Sequence, residues 1–329
     1  AELAIPPRAL GRLHNLAEQM CAIQRSILPA IDTKAVLVMA GDHGVAGKAV
    51  SAFPQEITLA MVQAFTVGGG GINAIARHVG AEVSVVDMGI IPEIDPATVT
   101  SNDHLLVSKI AKGTDDLSEG PAMSRENAEL ALLTGFNHGS RLIQEGCDIL
   151  GTGDMGIGNT TPSAAIGAVI ADAGLDDMVG RGTGVDDAGL ANKKATIAQG
   201  LKVNQPDARD GVDVLAKVGG FEIGGIAGMI LAAAYHKKPV VVDGFISTAG
   251  ALIAATLCPT AKGYMYAGHC SEEPGHKLML AHLGLEPILD LGMRLGEGTG
   301  GAMAMSVIEG ALKVFKEVMT FAEAGITQG

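Results

Sequence analysis

The stretch Cys147-Asp-Ile-Leu-Gly-Thr-Gly-Asp-Met-Gly-Ile-Gly-Asn-Thr-Thr-Pro162 carries the densest structural signal of the chain. A short apolar run leads into a segment with four glycines, one carboxylate, one amide and two hydroxyls. The alanine-rich residues 163–171 that follow are typical of a helix. Glycines let backbone N–H groups come close to a ligand, and the start of a helix attracts anions. The stretch therefore predicts a strand, a phosphate-binding loop and a helix.

Neither of the two common nucleotide fingerprints occupies its usual place. No G-x-G-x-x-G follows the first predicted strand, residues 35–40, and G-x-x-x-x-G-K-[ST] does not occur in the chain. This argues against a dinucleotide-dependent dehydrogenase, which we keep as an alternative from a different enzyme class.

The composition limits the kinds of partner that the protein can have. The chain has 329 residues and a net charge of −13, so nucleic acid and anionic membranes are unfavourable partners. A local phosphate site is still possible, because backbone N–H groups and a lysine act at short range. The length fits one large domain, or one large and one small domain. The scattered Cys21, Cys147, Cys258 and Cys270 form no C-x-x-C pair, which predicts reduced thiols and a cytoplasmic protein.

Short apolar runs recur along the chain, with helical stretches between many of them, which favours an α/β fold with a mainly parallel sheet. These runs are residues 35–40, 82–86, 148–150, 239–242, 261–266 and 287–291.

Polar or glycine-rich segments follow all six runs. They include Asp42-His43, Asp87, Asp154, Asp243, His269 and Leu295-Gly-Glu-Gly-Thr-Gly-Gly301. In a parallel sheet the carboxyl ends of the strands meet at one edge, where ligands bind. At any single position, Asp or Gly could simply end a strand and start a turn. Six such positions together favour one shared cleft.

The two ends of the chain differ from its middle. Residues 9–26 and 303–322 carry apolar side chains at helical spacing and could pack together as a small helical domain. We therefore predict a catalytic domain over residues 30–292 and a small domain built from residues 1–29 and 293–329.

Glu297 is the candidate general base. It lies between glycines and beside apolar neighbours, and partial burial would raise the pKa of its carboxyl, which favours proton abstraction. A solvated loop glutamate is the alternative. Asp154 could bind a ribose hydroxyl or cap a helix, and Asn159, Thr160 and Thr161 could bind phosphate or cap the same helix.

Other polar residues are weaker candidates. Lys193 and Lys194 could contact a phosphate, although a solvated helix face is the more common use of such a pair. Asp42 and His43 are neighbours on a strand and should point to opposite sides, so a structural use is favoured. The histidines show no zinc-ligand spacing, and we predict no metal. No G-x-S-x-G elbow surrounds Ser247 or Ser271, which argues against a serine hydrolase.

Nearly the whole chain resembles the family of nicotinate-nucleotide:dimethylbenzimidazole phosphoribosyltransferases. The matching motifs include Pro6-Pro-Arg-Ala-Leu-Gly-Arg-Leu13, Gly41-Asp-His-Gly-Val45, Pro54-Gln-Glu-Ile-Thr58, Gly153-Asp-Met-Gly-Ile-Gly-Asn-Thr-Thr-Pro162, Asp210-Gly-Val-Asp-Val-Leu-Ala-Lys-Val-Gly-Gly-Phe221, Asp243-Gly-Phe245, His282-Leu-Gly-Leu-Glu-Pro287 and Met293-Arg-Leu-Gly-Glu-Gly-Thr-Gly300.

The resemblance implies a reaction and a set of site residues. Phosphoribose passes from nicotinate mononucleotide to a benzimidazole with inversion at the anomeric carbon, and Glu297 is the general base. The implied phosphate and ribose site comprises Asp154, Gly156, Gly158, Asn159, Thr160, Lys193 and Ser271. The implied base pocket comprises Gln55, Gln63, Met155 and Leu295. It also implies a Rossmann-like large domain, a homodimer, and no metal or cofactor.

Asp154 departs from the family pattern, because relatives often carry glutamate there. Aspartate is one methylene shorter, so its contact could be lost, bridged by water or recovered by a loop shift. The preferred acceptor base stays open among dimethylbenzimidazole, hydroxybenzimidazole, adenine and phenols. A non-catalytic nucleotide carrier is a third possibility, and the retained Glu297 argues against it.

Overall fold

The computed structural model describes residues 3–6, 8–94 and 104–326, and its centre is a seven-stranded parallel sheet. The strands are β1 (Lys34–Gly41), β2 (Ala81–Gly89), β3 (Leu105–Val107), β4 (Ile149–Met155), β5 (Val240–Val242), β6 (Met265–His269) and β7 (Pro287–Leu289). Every neighbouring pair is parallel, in the order β3-β2-β1-β4-β5-β6-β7.

Helices cover both faces of this sheet. They are α1 (Arg12–Gln24), α2 (Ile57–Thr66), α3 (Gly71–Val79), α4 (Arg125–Gln144), α5 (Thr160–Ile170), α6 (Leu175–Met178), α7 (Asp187–Asn204), α8 (Gly211–Val218), α9 (Phe221–Tyr235), α10 (Phe245–Leu257), α11 (His276–Leu283) and α12 (Thr299–Glu317).

The sheet is buried on both faces because side chains alternate along each strand. In β1, Leu37 and Met39 pack into one core with α4, α5, α8, α9 and α10. Val36 and Val38 pack into the other core, with α1, α2, α3 and α12. Burying one side chain of this size stabilises the folded state by about 1.5–3 kcal/mol relative to leaving it exposed. The expected α/β fold with a mainly parallel sheet is thus confirmed as three layers.

The strand order places a binding crevice between β1 and β4. The chain builds the sheet outward from β1 in one direction through β2 and β3, then returns to pair β4 with the other side of β1. Connections from these two strands leave on opposite faces, which opens a crevice beyond their carboxyl ends. Residues at the ends of β1 and β4 therefore lie at its floor.

The helices from the two chain ends pack together on one face of the sheet. Buried side chains of α1, such as Met20, share a core with Met305 and Ile308 of α12 and with Val36 of β1. Lys34 Nζ also donates to Glu309 Oε1 over 2.6 Å. The boundaries at residues 29/30 and 292/293 stay a prediction.

Several predicted boundaries were wrong. The third strand extends to Met155, so Asp154 and Met155 belong to β4 rather than to a loop. Most of the predicted strand 261–266 is a 3-10 helix, Pro259–Tyr264, and β6 begins only at Met265. β3 was not predicted, because its three residues carry too short an apolar pattern.

The segment Ile57–Val79 is long and apolar enough to cross a membrane by length and composition alone, with a mean hydropathy of 1.3. The structure divides it into α2 and α3, which are separated by residues 67–70. Phe65 and Ile72 are buried in the core between the sheet and helices α1, α2, α3 and α12. Only 39% of the segment is buried in this way, and a single segment of this kind is weak evidence for a membrane span.

Candidate active site

A cavity of about 410 Å³ opens at the carboxyl edge of the sheet. It is lined by Phe53, Ile57, Met61, Asp154, Met155, Gly156, Ile157, Asn159, Thr160, Gly182, Thr183, Gly244, Phe245, Ile246, His269, Ser271, Glu273, Arg294, Leu295, Gly296 and Glu297. Eight of the predicted site residues are among them: Asp154, Met155, Gly156, Asn159, Thr160, Ser271, Leu295 and Glu297. The segments after β4, β5, β6 and β7 therefore meet at one site.

The floor of the cavity is the junction between β4 and α5. Asp154 is buried, and its Oδ2 accepts a hydrogen bond of 3.0 Å from Asn159 Nδ2. Its Oδ1 has no hydrogen-bond partner among the described residues. Burial raises the pKa of the Asp154 carboxyl well above its ordinary value, and the nearby Asp243 charge adds to the rise.

The start of α5 lies against a buried ammonium group. Lys193, on α7, has no exposed surface, and its Nζ donates to Thr160 Oγ1 over 2.7 Å and to the Gly180 carbonyl over 3.2 Å. Burial lowers the pKa of Lys193 to about 8, although Glu273 opposes the shift. The expectation of a solvated helix face was wrong for Lys193 and holds for Lys194, whose ammonium pairs with the exposed Asp176. A phosphate at α5 would thus meet both helix N–H groups and a cation.

Glu297 is held above the floor by an unusual backbone turn. Gly296, Glu297 and Gly298 have φ angles of +81°, +63° and +96°, so all three residues are left-handed. The glycines adopt this conformation without strain, whereas Glu297 does so at a cost. The turn buries the Glu297 carboxylate to 5% exposure, and its Oε2 accepts a hydrogen bond of 3.0 Å from the Ile72 N–H at the start of α3.

The surroundings of Glu297 favour a basic carboxylate. Burial raises its pKa, the backbone N–H groups of Ile72 and Gly71 oppose the rise, and the charge of Asp243 adds to it. A carboxylate with a raised pKa, at the edge of a cavity, has the properties of a general base.

β4 makes room for this turn. Residues 151–156 do have the spacing G-x-G-x-x-G, but Gly151 and Gly153 lie within the strand and not in a phosphate-binding loop. A Cβ on Gly153 would lie 2.5 Å from the Glu297 carbonyl oxygen. The glycine is therefore needed for the close approach of the Glu297 turn.

Ser271 is fixed by a buried histidine. The Ser271 N–H donates to His276 Nδ1 over 2.8 Å, so His276 Nε2 carries the proton and donates to Thr248 Oγ1 over 2.9 Å. Burial lowers the pKa of His276 to about 3, which keeps the ring neutral. This chain of hydrogen bonds sets the position of Ser271 at the cavity wall.

Four predicted residues do not line the cavity directly. Gly158 lies in the loop before α5, and Lys193 reaches the site through Thr160. Gln55 is half-buried and donates from Nε2 to the His43 carbonyl over 3.1 Å. Gln63 is half-buried on α2. The predicted contacts of Gln55 and Gln63 with a base stay predictions.

The sequence did not point to a buried ion pair beneath the loop. His43 Nε2 and Glu222 Oε1 are 2.8 Å apart, with both side chains buried. Burial alone would lower the pKa of His43, but the charge and hydrogen bond of Glu222 raise it. Asp42 instead accepts from the Ile91 N–H over 2.8 Å, so the two neighbouring residues have separate partners. Glu222 begins a helix far along the chain and had no sequence signal.

An apolar wall and a cation were also missed. Phe53, Ile57 and Met61 line the cavity opposite the polar floor, and Arg294 lies beside Leu295 at its rim. The only hint of them in the sequence is that they lie in or near the motifs Pro54-Gln-Glu-Ile-Thr58 and Leu295-Gly-Glu-Gly-Thr-Gly-Gly301. Within residues 3–6, 8–94 and 104–326, no three His, Cys, Asp or Glu side chains group as metal ligands would.

Comparisons with known proteins agree with one another. A family model described as phosphoribosyltransferase matches residues 1–326. Nicotinate-nucleotide--dimethylbenzimidazole phosphoribosyltransferase from Geotalea uraniireducens is 52% identical over 324 residues, covering 98% of this chain and 91% of the relative. The enzyme of the same name from Chloroflexus aurantiacus is 51% identical over 326 residues, covering 99% and 92%.

A solved structure matches the fold as closely. The crystal structure of nicotinate-nucleotide-dimethylbenzimidazole phosphoribosyltransferase from Thermus thermophilus superposes with a TM-score of 0.93 at 41% identity, covering 100% of this chain and 96% of that one. Fold, sequence and cavity-lining motifs thus point the same way, and the chain belongs to the nicotinate-nucleotide:dimethylbenzimidazole phosphoribosyltransferase family.

Proposed function

We propose that this enzyme transfers 5-phosphoribose from nicotinate mononucleotide to 5,6-dimethylbenzimidazole or a related base. The products are nicotinate, an α-ribazole 5′-phosphate and a proton, as a step in assembling the nucleotide loop of cobalamin. The observation that carries this proposal is the buried Glu297 carboxylate facing, in one cavity, an anion site built from the start of α5 and Lys193.

The phosphate is the anchor of the substrate. It binds at the backbone of residues 156–160, with the Lys193 ammonium behind Thr160 and with Ser271 on the opposite wall. Helix N–H groups and a buried cation are both favourable for a dianion. This contact fixes the ribose, so the attacking base and the leaving nicotinate can occupy opposite sides of it.

Glu297 removes the proton in the chemical step. One benzimidazole nitrogen loses its proton to the Glu297 carboxylate, while the other nitrogen attacks the anomeric carbon. The bond from that carbon to the nicotinate nitrogen breaks, and its electron pair leaves with nicotinate. Attack from the face opposite the leaving group inverts the β-linkage to α. Asp154, which lines the floor of the cavity, binds the ribose.

The acceptor base lies against the apolar wall. Met61, Met155 and Leu295 line the cavity, and Leu295 is 60% exposed at its mouth, so a flat aromatic ring could cover it. Apolar burial would favour the methylated ring of dimethylbenzimidazole over a polar purine. Gln55 and Gln63 are the proposed polar contacts of this pocket. We further propose that the protein is a cytoplasmic homodimer.

A direct assay tests the function. The purified protein is mixed with nicotinate mononucleotide and a panel of bases in competition, comprising dimethylbenzimidazole, hydroxybenzimidazole, adenine and a phenol. Nicotinate release and the α-riboside are then followed by chromatography. We expect release with dimethylbenzimidazole to dominate. If none of the bases releases nicotinate, the protein is not this transferase, and an NADH fluorescence titration would then test the dehydrogenase alternative.

A further inference from the structure

Asp243 holds the turn that carries Glu297. It follows β5 and is fully buried. Its Oδ1 accepts from the Gly301 N–H over 2.7 Å, and its Oδ2 accepts from the Gly298 N–H over 3.2 Å. Its own N–H donates to Thr152 Oγ1 over 2.9 Å, which ties it to β4. One carboxylate thus bridges the end of the Glu297 turn and the first residues of α12.

The turn needs such a bridge because its conformation is costly. Three consecutive residues are left-handed, and the central one, Glu297, is not a glycine. Strained backbone of this kind persists only where surrounding contacts fix it. On the α3 side the contact is the Ile72 N–H, and on the sheet side it is Asp243.

Asp243 also places a second carboxyl group near the base. Burial raises the pKa of Asp243, and His269 and the N–H groups of Gly301 and Gly298 oppose that rise. The charge of Asp243 contributes to the raised pKa values of both Glu297 and Asp154. The other titratable groups packed around it are Asp154 on β4 and His269 on β6, whose Nε2 lies 3.7 Å from Asp243 Oδ1. The carboxyl group of Glu222 on α9 also raises the pKa of Asp154. A nearby carboxylate makes Glu297 hold its proton more tightly.

We propose that Asp243 is a positioning residue, which holds the Glu297 turn in place and sets a second carboxyl group near the Glu297 carboxylate. The inference rests on the proposed role of Glu297 as general base. Asp243 itself does not need to touch the substrate.

The test is the pH profile of kcat/KM for dimethylbenzimidazole with the full-length enzyme. Asp243→Asn removes the charge and weakens one of the two hydrogen bonds. We expect kcat to fall at least tenfold, and the acidic limb of the profile to move to lower pH by roughly half a unit or more. A purely structural role would lower kcat and leave the limb in place, which would overturn the proposal.

Asp243→Glu is the matched control, because it retains the charge while displacing it. It should lower kcat with little movement of the limb, and an equal shift in both variants would show that the charge has no part. Should Asp243→Asn fail to fold, Asp243→Ser is smaller, equally uncharged, and gives the same readout. Full turnover in Glu297→Gln would overturn the proposed base itself, whereas lost turnover with an unmoved limb in Asp243→Asn would overturn only this inference.

Discussion

Glu297 combines a left-handed backbone conformation with the carboxylate that we propose as the general base. That carboxylate is buried beside the N-terminus of α3. The hydrogen bond from Ile72 favours the ionised form, while burial opposes it. The net effect is a pKa above the ordinary value of a glutamate carboxyl, which favours acceptance of a proton.

Glu297→Gln is the most direct test of the residue. The amide cannot accept the proton but occupies nearly the same volume, so kcat should fall by roughly 10²–10⁴-fold. The Kd for nicotinate mononucleotide, measured by calorimetry, should stay close to that of the unmodified enzyme. An unchanged kcat would remove the base assignment.

Lys193 predicts an unusual pH dependence of binding. Because its pKa is lowered to about 8, the ammonium is charged below that pH and becomes neutral above it. The Kd for nicotinate mononucleotide should therefore rise above pH 8, by up to about tenfold per pH unit. Calorimetric titrations between pH 7 and 9.5 would measure it.

The adjacent lysine supplies the control for that experiment. Lys193→Met should weaken binding at pH 7 and flatten the pH dependence, because the titrating cation is gone. Lys194→Met removes the same group one residue later, where it pairs with the exposed Asp176, and should leave the binding curve unchanged. Equal behaviour of the two variants would contradict a phosphate role for Lys193.

The strand β4 has two structural roles. It pairs with β1 at the centre of the sheet, and its face toward α12 accommodates the Glu297 turn. The second role depends on Gly153, since a side chain there would collide with the backbone carbonyl of Glu297 rather than with a movable side chain.

Gly153→Ala should therefore displace the turn. We expect a marked loss of kcat, with a fall in the free energy of unfolding of roughly 1–3 kcal/mol from overpacking. Gly310→Ala is the matched control in α12, because nothing lies within 4 Å of the added methyl. That change should leave kcat unaltered and stabilise the helix by ~0.5–1 kcal/mol. Steady-state kinetics and thermal unfolding of the two variants would test this prediction, and an unchanged kcat in Gly153→Ala would contradict it.

At the scale of the whole molecule, several large apolar side chains stay exposed. Ile27 and Leu28, after α1, and Met319, after α12, are more than half exposed. Covering such side chains with a second copy of the chain would remove them from water, which is favourable. We predict a homodimer, with a mass in light scattering of twice the 33.4 kDa of one chain. A single-chain mass at micromolar concentration would contradict this prediction.

The fold class and eight of the residues that line the cavity follow from the sequence alone. Apolar runs ending in Asp, His or Gly predicted a parallel sheet with its site at the carboxyl edge, because side-chain period and turn chemistry are local properties. Asp154, Asn159, Thr160 and Glu297 do line one cavity.

Which groups are buried, and which groups they contact, follows from the three-dimensional packing of the chain. The burial of Lys193, the pairing of His43 with Glu222 and the contact of Ile72 with Glu297 join residues 33 to 225 positions apart. Burial and Coulomb interactions depend on distance in space, and spacing along the chain carries no record of them. The motifs identify the functional side chains, and their burial in the folded protein shifts the pKa values of those side chains.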